Sequence, residues 1–493
     1  SRPPLPPGPT PLPVLGNVLS LDSARPWLTF NAWRSAYGDI IYARVLSKPV
    51  LVVNSKEVAK DLFDRRSSIY SDRPQSIVYE AFASDFNMGF MPYGNSRWRL
   101  HRRIFHQAFH QAATPAHHAV RLRSAHKMLF SLLQDPGNYP NHFQMFTLTF
   151  MLSIIYDCEA KAKDAHVAHV ITRYGDLIVD GFAPAAMMLM ETFPFPDFLR
   201  ASLKCIQAAH DVKEIPFQYV KERMSANDMG PCLVADALNR TSQEDDVNTT
   251  AVKEAASVAF TGMQTTATLL VFFLAMVLNP EVQAKAQAEI DRVVGKNRLP
   301  DFDDRPALPY LEAVLRETLR WHPVIPMSVP HATTTSDIYN GYFIPKGLAM
   351  THDATKYPSP DEFKPKRFFQ DDGSLNSDTM RLGFGWGPRI CVGRHVVDAS
   401  LWIAIANFLA FFSAHKALDE HGMEIPIVPN HPETFPCRIL PRFPSVSLKT
   451  LTCSTNLGPF YRPHLAFSNT NIQWQGNYDC GVVSSVQPDS FLP

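Results

Sequence analysis

The loop around Cys391 constrains the fold of this chain more than any other feature. Residues 384–393 read FGWGPRICVG, and a long apolar stretch that we predict to be a helix follows them. Glycines let such a backbone approach a bound group closely, and a helix that begins just after the cysteine adds a dipole that favours a thiolate. A lone cysteine in a glycine-rich loop is usually structural, but this loop has the features that a metal-ligating thiolate needs.

The remainder of the chain has mostly helical periodicity. Short β-branched runs at 40–42 and 50–53 predict strands, and residues 55–330 are predicted to be mainly helical. Residues 324–350 return to strand and turn chemistry, with Asn340-Gly341 as a hairpin signal. We therefore predict a mainly α protein with a minor β-sheet region.

Charge and cysteine usage exclude several classes of protein. Lys+Arg and Asp+Glu both number 47 among 493 residues, so no global field favours nucleic acid. The seven cysteines are scattered and lack a C-x-x-C pair, which argues against a disulfide scaffold or structural zinc and favours a reducing compartment. The most apolar stretches, 266–278 and 401–414, are shorter than the roughly 18 residues that a spanning helix needs.

The cysteine loop meets every defined position of the spacing F-x-x-G-x-R-x-C-x-G. Three further motifs, described below, lie elsewhere in the chain. In these residues the sequence resembles the cytochrome P-450 family over roughly residues 1–450. The resemblance implies the cytochrome P-450 fold, haem b as cofactor and Cys391 as the axial ligand of the haem iron. A thiolate in that position donates electron density that favours O–O cleavage.

The resemblance also implies three domain assignments. Residues 1–17, which are rich in proline, are expected to connect the protein to an N-terminal membrane anchor that this chain lacks. Residues 18–450 form the catalytic domain. Residues 451–493 contain Asn, Ser, Gly and Pro in quantity and few charges, and we predict an irregular C-terminal extension.

The second motif is Glu317-Thr318-Leu319-Arg320, followed later by Arg367. Glu317 and Arg320 lie at i, i+3 on one helix face, a spacing that alone most often marks a surface ion pair. By resemblance, Glu317, Arg320 and Arg367 form a buried ion network behind the haem. The role of this network is structural, because buried charges must satisfy one another.

The third motif is Trp98-x-x-x-Arg102. These residues lie one helical turn apart, so both can face the same haem propionate, with Arg389 and His331 as further propionate contacts by resemblance. Arginine suits this role because its guanidinium pairs with a carboxylate through two hydrogen bonds. Without the cysteine loop, an exposed helix face would be the preferred interpretation.

The fourth motif is residues 259–266, AFTGMQTT. By resemblance, Thr265 occupies the hydroxyl position of the helix over the haem, and Gln264 occupies the preceding position, which is an acid in the family. An amide cannot titrate, so proton delivery would depend on Thr265 and ordered water. We therefore predict Thr265 and Gln264 as catalytic residues. A core helix whose threonines bond their own backbone is the ordinary alternative.

The substrate pocket is predicted to be apolar, which favours an apolar or aromatic substrate. Its candidates by family position are Phe82, Phe86, Met88, Phe90, Phe260, Met263, Ile325, Met327, Val329, Thr434 and Phe435.

One segment departs from the family. Only Leu348-Ala349-Met350 separates Gly347 from Thr351, where relatives carry about ten residues more, including a strand, by resemblance alone.

The leading hypothesis for the function is a monooxygenase that inserts one atom of O2. A reductase-independent peroxygenase, isomerase or dehydratase is the second, and a silent or misfolded haem protein, motivated by the short segment, is the third.

The resemblance extends to partners and location. It implies electrons from NADPH through NADPH–cytochrome P-450 reductase, a small apolar substrate with O2, and no nucleic-acid partner. We expect a monomer that is anchored in the endoplasmic reticulum membrane with a cytosolic catalytic domain. Residues 27–30 and 70–74 are similar to fungal microsomal members of secondary metabolism or xenobiotic oxidation.

Overall fold

A computed structural model describes residues 3–22, 25–46, 48–159, 164–181, 196–240, 246–261, 265–346, 348–351, 359–427 and 435–443. Met263, Gln264, Thr434 and the predicted extension at 451–493 lie outside these ranges.

Helices dominate the described residues. In chain order they are α1 (Pro26–Tyr37), α2 (Lys56–Ala59), α3 (Ser67–Tyr70), α4 (Ile77–Ala81), α5 (Ser96–Phe109), α6 (His118–Gln134), α7 (Tyr139–Tyr156), α8 (Ala165–Gly181), α9 (Pro196–Ser225), α10 (Leu233–Asn239), α11 (Asp246–Thr261), α12 (Thr265–Leu278), α13 (Pro280–Val293), α14 (Pro309–Trp321) and α15 (Arg394–Phe411).

Short strands form three small sheets. They are β1 (Ile40–Val45), β2 (Lys48–Val53), β3 (His331–Ala332), β4 (Asp337–Tyr339), β5 (Tyr342–Ile344), β6 (Leu348–Thr351), β7 (Phe412–Lys416) and β8 (Cys437–Pro441). The largest sheet has the order β1-β2-β6-β3, while β4 pairs with β5 and β7 with β8. The predicted mainly α fold with a minor sheet is confirmed.

The short segment after Gly347 supplies a strand of the largest sheet. β6 runs parallel to β2, with Val50 opposite Leu348, and antiparallel to β3, with His331 opposite Ala349. The sheet is therefore continuous through this segment. The predicted hairpin at Asn340-Gly341 is also confirmed, because both residues have positive φ and join β4 to β5.

The proline-rich segment packs on the sheets. Pro7 O accepts a hydrogen bond from Tyr42 N of β1 at 3.0 Å, and Pro4 O accepts one from Phe343 N of β5 at 2.8 Å. A Cβ on Gly8 would lie 1.9 Å from Tyr42 O, so the backbone approaches β1 as closely as only glycine permits. Residues 4–8 are therefore part of the folded domain.

The core is centred on α12 and α15, most of whose side chains are buried. Asp246–Leu278 is long and apolar enough to cross a membrane by composition, but 71% of its most apolar window is buried inside the protein. That burial is typical of a core helix.

α5 packs against α11, and α15 follows directly from the cysteine loop. The two chain segments that position the site are therefore both held by the core.

Candidate functional site

Cys391 lies at the end of a tight loop that leads into α15. Its backbone N–H donates to Phe384 O at 2.8 Å, which closes the loop on itself. Two glycines within the loop have positive φ, +84° at Gly385 and +48° at Gly387. α15 begins at Arg394, so its unpaired N–H groups face the cysteine.

The Cys391 sulfur is held where a thiolate would be stabilised. The side chain is exposed, yet burial raises the pKa of its thiol, so the sulfur lies on the wall of a cleft within dense protein. Two kinds of interaction oppose this effect of burial and lower the pKa of the thiol. They are the backbone N–H groups of Gly393 and Arg394, and the positive charges of Arg394 and Arg102. Metal coordination deprotonates a thiol outright, and these donors would then stabilise the thiolate.

Gly387 sits where no other residue fits. A Cβ at this position would lie 2.2 Å from Phe63 O. Its backbone N–H donates to Asp64 Oδ1 at 2.7 Å, which ties the cysteine loop to residues 63–64. The glycine is therefore required both by its φ and by the close approach of a second backbone.

We expect Gly387→Ala to destabilise the protein by about 1–3 kcal/mol through φ strain alone, with an added cost from the clash at Phe63 O. Thermal unfolding and haem content of the purified protein measure the effect. Gly383→Ala is the matched control, because its Cβ would meet no atom within 4 Å and its φ is not positive. Equal unfolding temperatures for the two variants would contradict the proposed constraint.

Three predicted propionate contacts meet beside the cysteine loop. The Arg389 guanidinium lies 4.6 Å from the Trp98 ring centroid, and that of Arg102 lies 5.6 Å from it. Arg102 Nη1 also donates to Ile390 O at 3.0 Å. Asn95 caps α5 by accepting from Arg97 N at 2.8 Å, which fixes where the helix that carries Trp98 and Arg102 begins.

Buried cations without carboxylate partners surround this group. Arg389 donates to Ser71 O, Met88 O and Met91 O, and Arg73 donates to Gly89 O, Val329 O and Pro330 O. Burial lowers the pKa of the Arg389 guanidinium to about 10 and that of Arg73 to about 9. Arg73 could not be predicted from the sequence, because a buried arginine has no sequence signature that separates it from a surface one.

His331 is buried close to the same cations. Its Nδ1 donates to Tyr70 O at 2.8 Å, since a carbonyl can only accept. Burial lowers the pKa of the imidazole to about 3, and the charges of Arg73 and Arg389 act in the same direction. His331 is therefore neutral here, and its Nε2 carries the lone pair.

The donors in this region suit an anionic cofactor. Within the described residues, Trp98 Nε1 is buried and has no hydrogen-bond partner, and neither Arg73 nor Arg389 forms an ion pair with a carboxylate. Buried polar and charged groups of this kind require a partner. The two carboxylates of a haem held by Cys391 have the charge and acceptor atoms that these groups need.

Glu317 is fully buried and receives hydrogen bonds from two arginines. Arg320 Nε donates to Glu317 Oε2 at 2.7 Å, and Arg367 Nε donates to Oε1 at 3.0 Å. The backbone N–H of Lys364 donates to Oε1 at 2.5 Å, and both arginines also donate to Glu362 O. The carboxylate therefore links α14 to the segment at 360–367.

Thr265 lies on α12 and is 2% exposed. Gln264 and Met263 lie outside the described residues, so their placement relative to Thr265 is not part of the structure. The next residue, Thr266, donates to Thr147 Oγ1 of α7 at 3.0 Å and is committed to helix packing.

The predicted pocket residues fall into different packing clusters. Phe86, Met88 and Phe260 belong to the main core, where Phe260 stacks on Tyr156 at 5.7 Å. The others are distributed as follows: Phe82 packs with Val78 and Cys205, Phe90 stacks on Tyr79, Met327 packs with Phe30 and Val50, Val329 O accepts from Arg73, Phe435 packs on Tyr139 and Phe273, and Ile325 is 40% exposed.

Comparison with known proteins gives consistent matches. The family model described as Cytochrome P-450 matches residues 6–432. Cytochrome P-450 monooxygenase 136 of Postia placenta is 36% identical and covers 89% of this chain and 89% of its own. Monooxygenase claR of Ampulloclitocybe clavipes is 36% identical, covering 89% and 86%, and monooxygenase ple1 of Rhodocybe pseudopiperita is 37% identical, covering 89% and 90%.

Proposed function

The chain belongs to the cytochrome P-450 family, and on that premise we propose that it inserts one oxygen atom from O2 into an apolar organic substrate. The electrons come from NADPH through a flavoprotein reductase. Its similarity to monooxygenases of fungi supports a role in fungal secondary metabolism or xenobiotic oxidation.

Proteins of this family bind haem b through a cysteine thiolate, and we assign that role to Cys391. The observation that carries the assignment is the pair of backbone N–H groups, from Gly393 and Arg394, that face its sulfur at the start of α15. Haem bound through a thiolate supplies the O2-activating chemistry, in which electron donation by sulfur favours O–O cleavage.

The side chains around the cysteine loop would hold the cofactor in place. Trp98 Nε1, Arg102 and Arg389 would donate to the haem carboxylates, and the buried Arg73 would add a fourth donor group. His331 donates from Nδ1 to the protein backbone, so it contacts a carboxylate through Nε2 only after gaining a proton. The ion network of Glu317, Arg320 and Arg367 stabilises the folded protein and does not contact the cofactor in this proposal.

Thr265 is proposed to hold the water that supplies a proton during oxygen reduction. Its side chain is buried on α12, and the neighbouring amide of Gln264 cannot titrate. The hydroxyl can accept a hydrogen bond from one water and donate one to another, which orders them.

Thr265→Ala is expected to keep haem and substrate binding but to release reduced oxygen as hydrogen peroxide, because the water that supplies the proton is no longer held in place. General-acid steps contribute roughly 10²–10⁴-fold to a reaction rate. The measurement is product and peroxide formed per NADPH consumed. Thr266→Ala is the control, since its hydroxyl bonds Thr147 in the core. Gln264→Asp should raise coupling if the missing acid limits protonation. Unchanged coupling in both Thr265→Ala and Gln264→Asp would place proton delivery elsewhere.

The reaction class is tested by supplying the holoenzyme with reductase, NADPH and a panel of terpenoids, steroids and polyaromatics. We expect substrate-dependent NADPH consumption and products that are heavier by one oxygen atom from labelled O2. Turnover of a substrate with no NADPH consumed would favour the peroxygenase, isomerase or dehydratase alternative. A reduced protein with no carbon monoxide difference spectrum would favour the silent alternative.

We propose that the protein is held at the endoplasmic reticulum membrane by an N-terminal anchor, with its catalytic domain in the cytosol. The thiols of Cys205 and Cys232 are buried and form no disulfide, which suits a reducing compartment. The sequons at Asn239 and Asn248 are therefore expected to carry no glycan. Glycosidase-sensitive mobility of the cell-expressed protein, or recovery of the full gene product in the soluble fraction, would contradict this topology.

A further inference from the structure

A buried carboxylate outside the predicted site joins α11 to α5. Glu254, on α11, is 3% exposed and is contacted by two side chains of α5. Arg97 Nε donates to its Oε2 at 2.6 Å and Arg97 Nη2 donates to Oε1, while His101 Nε2 contacts Oε2 at 3.1 Å. Arg97 also reaches the exposed Asp85 at 3.4 Å, so the cluster has one end near the surface.

The charge state of this cluster follows from its contacts. Burial alone would raise the pKa of the Glu254 carboxyl, but hydrogen bonds from His101 and Arg97 bring it below its ordinary value. An ionised carboxylate can only accept, so His101 carries its proton on Nε2. His101 is fully buried, and within the described residues its Nδ1 has no partner, which leaves Glu254 as its single side-chain anchor.

The geometry of α5 connects this cluster to the cofactor region. Arg97 and His101 lie one turn apart, and Trp98 and Arg102 each follow one residue later. Successive side chains on a helix are rotated by about 100°, so the two pairs occupy adjacent faces of α5. A rotation of α5 about its axis that broke the contacts to Glu254 would also shift Trp98 Nε1 and Arg102 relative to the cysteine loop.

We propose that Glu254 is a positioning residue, which fixes the rotation of α5 through Arg97 and His101 and thereby places Trp98 and Arg102 against the haem carboxylates. The proposal rests on the function proposed above, in which Trp98 and Arg102 hold the cofactor. Side chains that orient the direct ligands of a cofactor typically change its affinity by roughly 10–100-fold when they are replaced.

The test compares Glu254→Gln with Glu214→Gln in the full-length holoenzyme. Gln keeps the shape of Glu254 but removes its charge. Glu214 pairs with Lys253, the residue next to Glu254 on α11, but joins α11 to α9 and not to α5. The readouts are the rate of haem transfer to apomyoglobin, the propionate bending band in the resonance Raman spectrum, and the unfolding temperature of the haem-free protein.

We expect Glu254→Gln to accelerate haem transfer roughly 10–100-fold and to shift the propionate band, and Glu214→Gln to change neither. Combining Glu254→Gln with Trp98→Phe should accelerate transfer less than the product of the two single effects, because both act through one indole N–H. A merely structural role would lower the unfolding temperature of the haem-free protein without moving the propionate band, and that result would overturn the proposal.

The outcomes separate this inference from the function on which it rests. Wild-type haem transfer in both Trp98→Phe and Arg102→Leu would overturn their roles as cofactor contacts. Faster transfer in Trp98→Phe together with wild-type behaviour in Glu254→Gln would overturn the positioning role alone. If Glu254→Gln yields no holoprotein, Arg97→Gln and His101→Gln take its place, since each removes one of the two side-chain contacts to Glu254. Wild-type transfer and band position in both variants would overturn the proposal.

Discussion

Cys391→Ser is expected to abolish the red-shifted absorption band of the ferrous carbon monoxide complex that marks thiolate ligation. Serine preserves the size of the side chain and its place at the start of α15, but its oxygen does not donate electron density as a thiolate does. Substrate oxidation should disappear with the band, because the electron donation that favours O–O cleavage is lost. The measurement is a carbon monoxide difference spectrum of the reduced protein.

Cys437→Ser is the matched control for that experiment. Cys437 is a half-buried cysteine on β8, and it lies far from the cysteine loop along the chain. The control should keep the band at full intensity. A Cys391→Ser protein that retained the band, or a Cys437→Ser protein that lost it, would show that the wrong cysteine has been assigned.

Glu317→Ala is expected to cost about 3–5 kcal/mol of folding free energy, because it leaves the charges of Arg320 and Arg367 buried without a counter-ion. A domain with a total stability of about 5–15 kcal/mol would lose a large fraction of it. We therefore expect little haem incorporation and a marked fall in the midpoint of chemical unfolding. Both are measured on protein that is expressed at low temperature.

Glu424→Ala provides the comparison, since Glu424 pairs with Lys416 but its side chain is 62% exposed. Exposed ion pairs contribute little to stability, so this variant should unfold close to the wild type. Glu317→Gln should fall between the two, because the amide keeps one acceptor for the arginines. Wild-type haem content in Glu317→Ala would contradict a buried structural role for the network.

Motif spacing predicted the parts of the protein in which local chemistry decides the structure. The loop at 384–393, the helix that follows it and the hairpin at Asn340-Gly341 all depend on glycines or on a turn whose φ values few residues adopt. The i, i+3 spacing of Glu317 and Arg320 likewise placed them on one helix face. Such features can be identified without knowing what the rest of the chain contacts.

Contacts between segments that are distant along the chain could not be predicted from the sequence. Arg73 and Glu254 are ordinary charged residues until the fold buries them, and no local pattern identifies the partner of either. The same limit applies to the predicted pocket residues, which stay a prediction, because large apolar side chains line cores and pockets alike. The missing length after Gly347 suggested a lost strand, but pairing of β6 with β2 depends on a hydrogen-bonding edge formed by residues 48–53.

The pairing of β2 with β6 also sets an order of events during synthesis. β1 and β2 can form their hairpin soon after they emerge, but Val50 must wait for Leu348 before the next edge of the sheet is covered. At about 5–20 residues per second, that interval is on the order of 15–60 s. Throughout it the β2 edge of the nascent chain is an open template for pairing with other chains. This edge of the ribosome-bound chain therefore stays uncovered until residue 348 has been made.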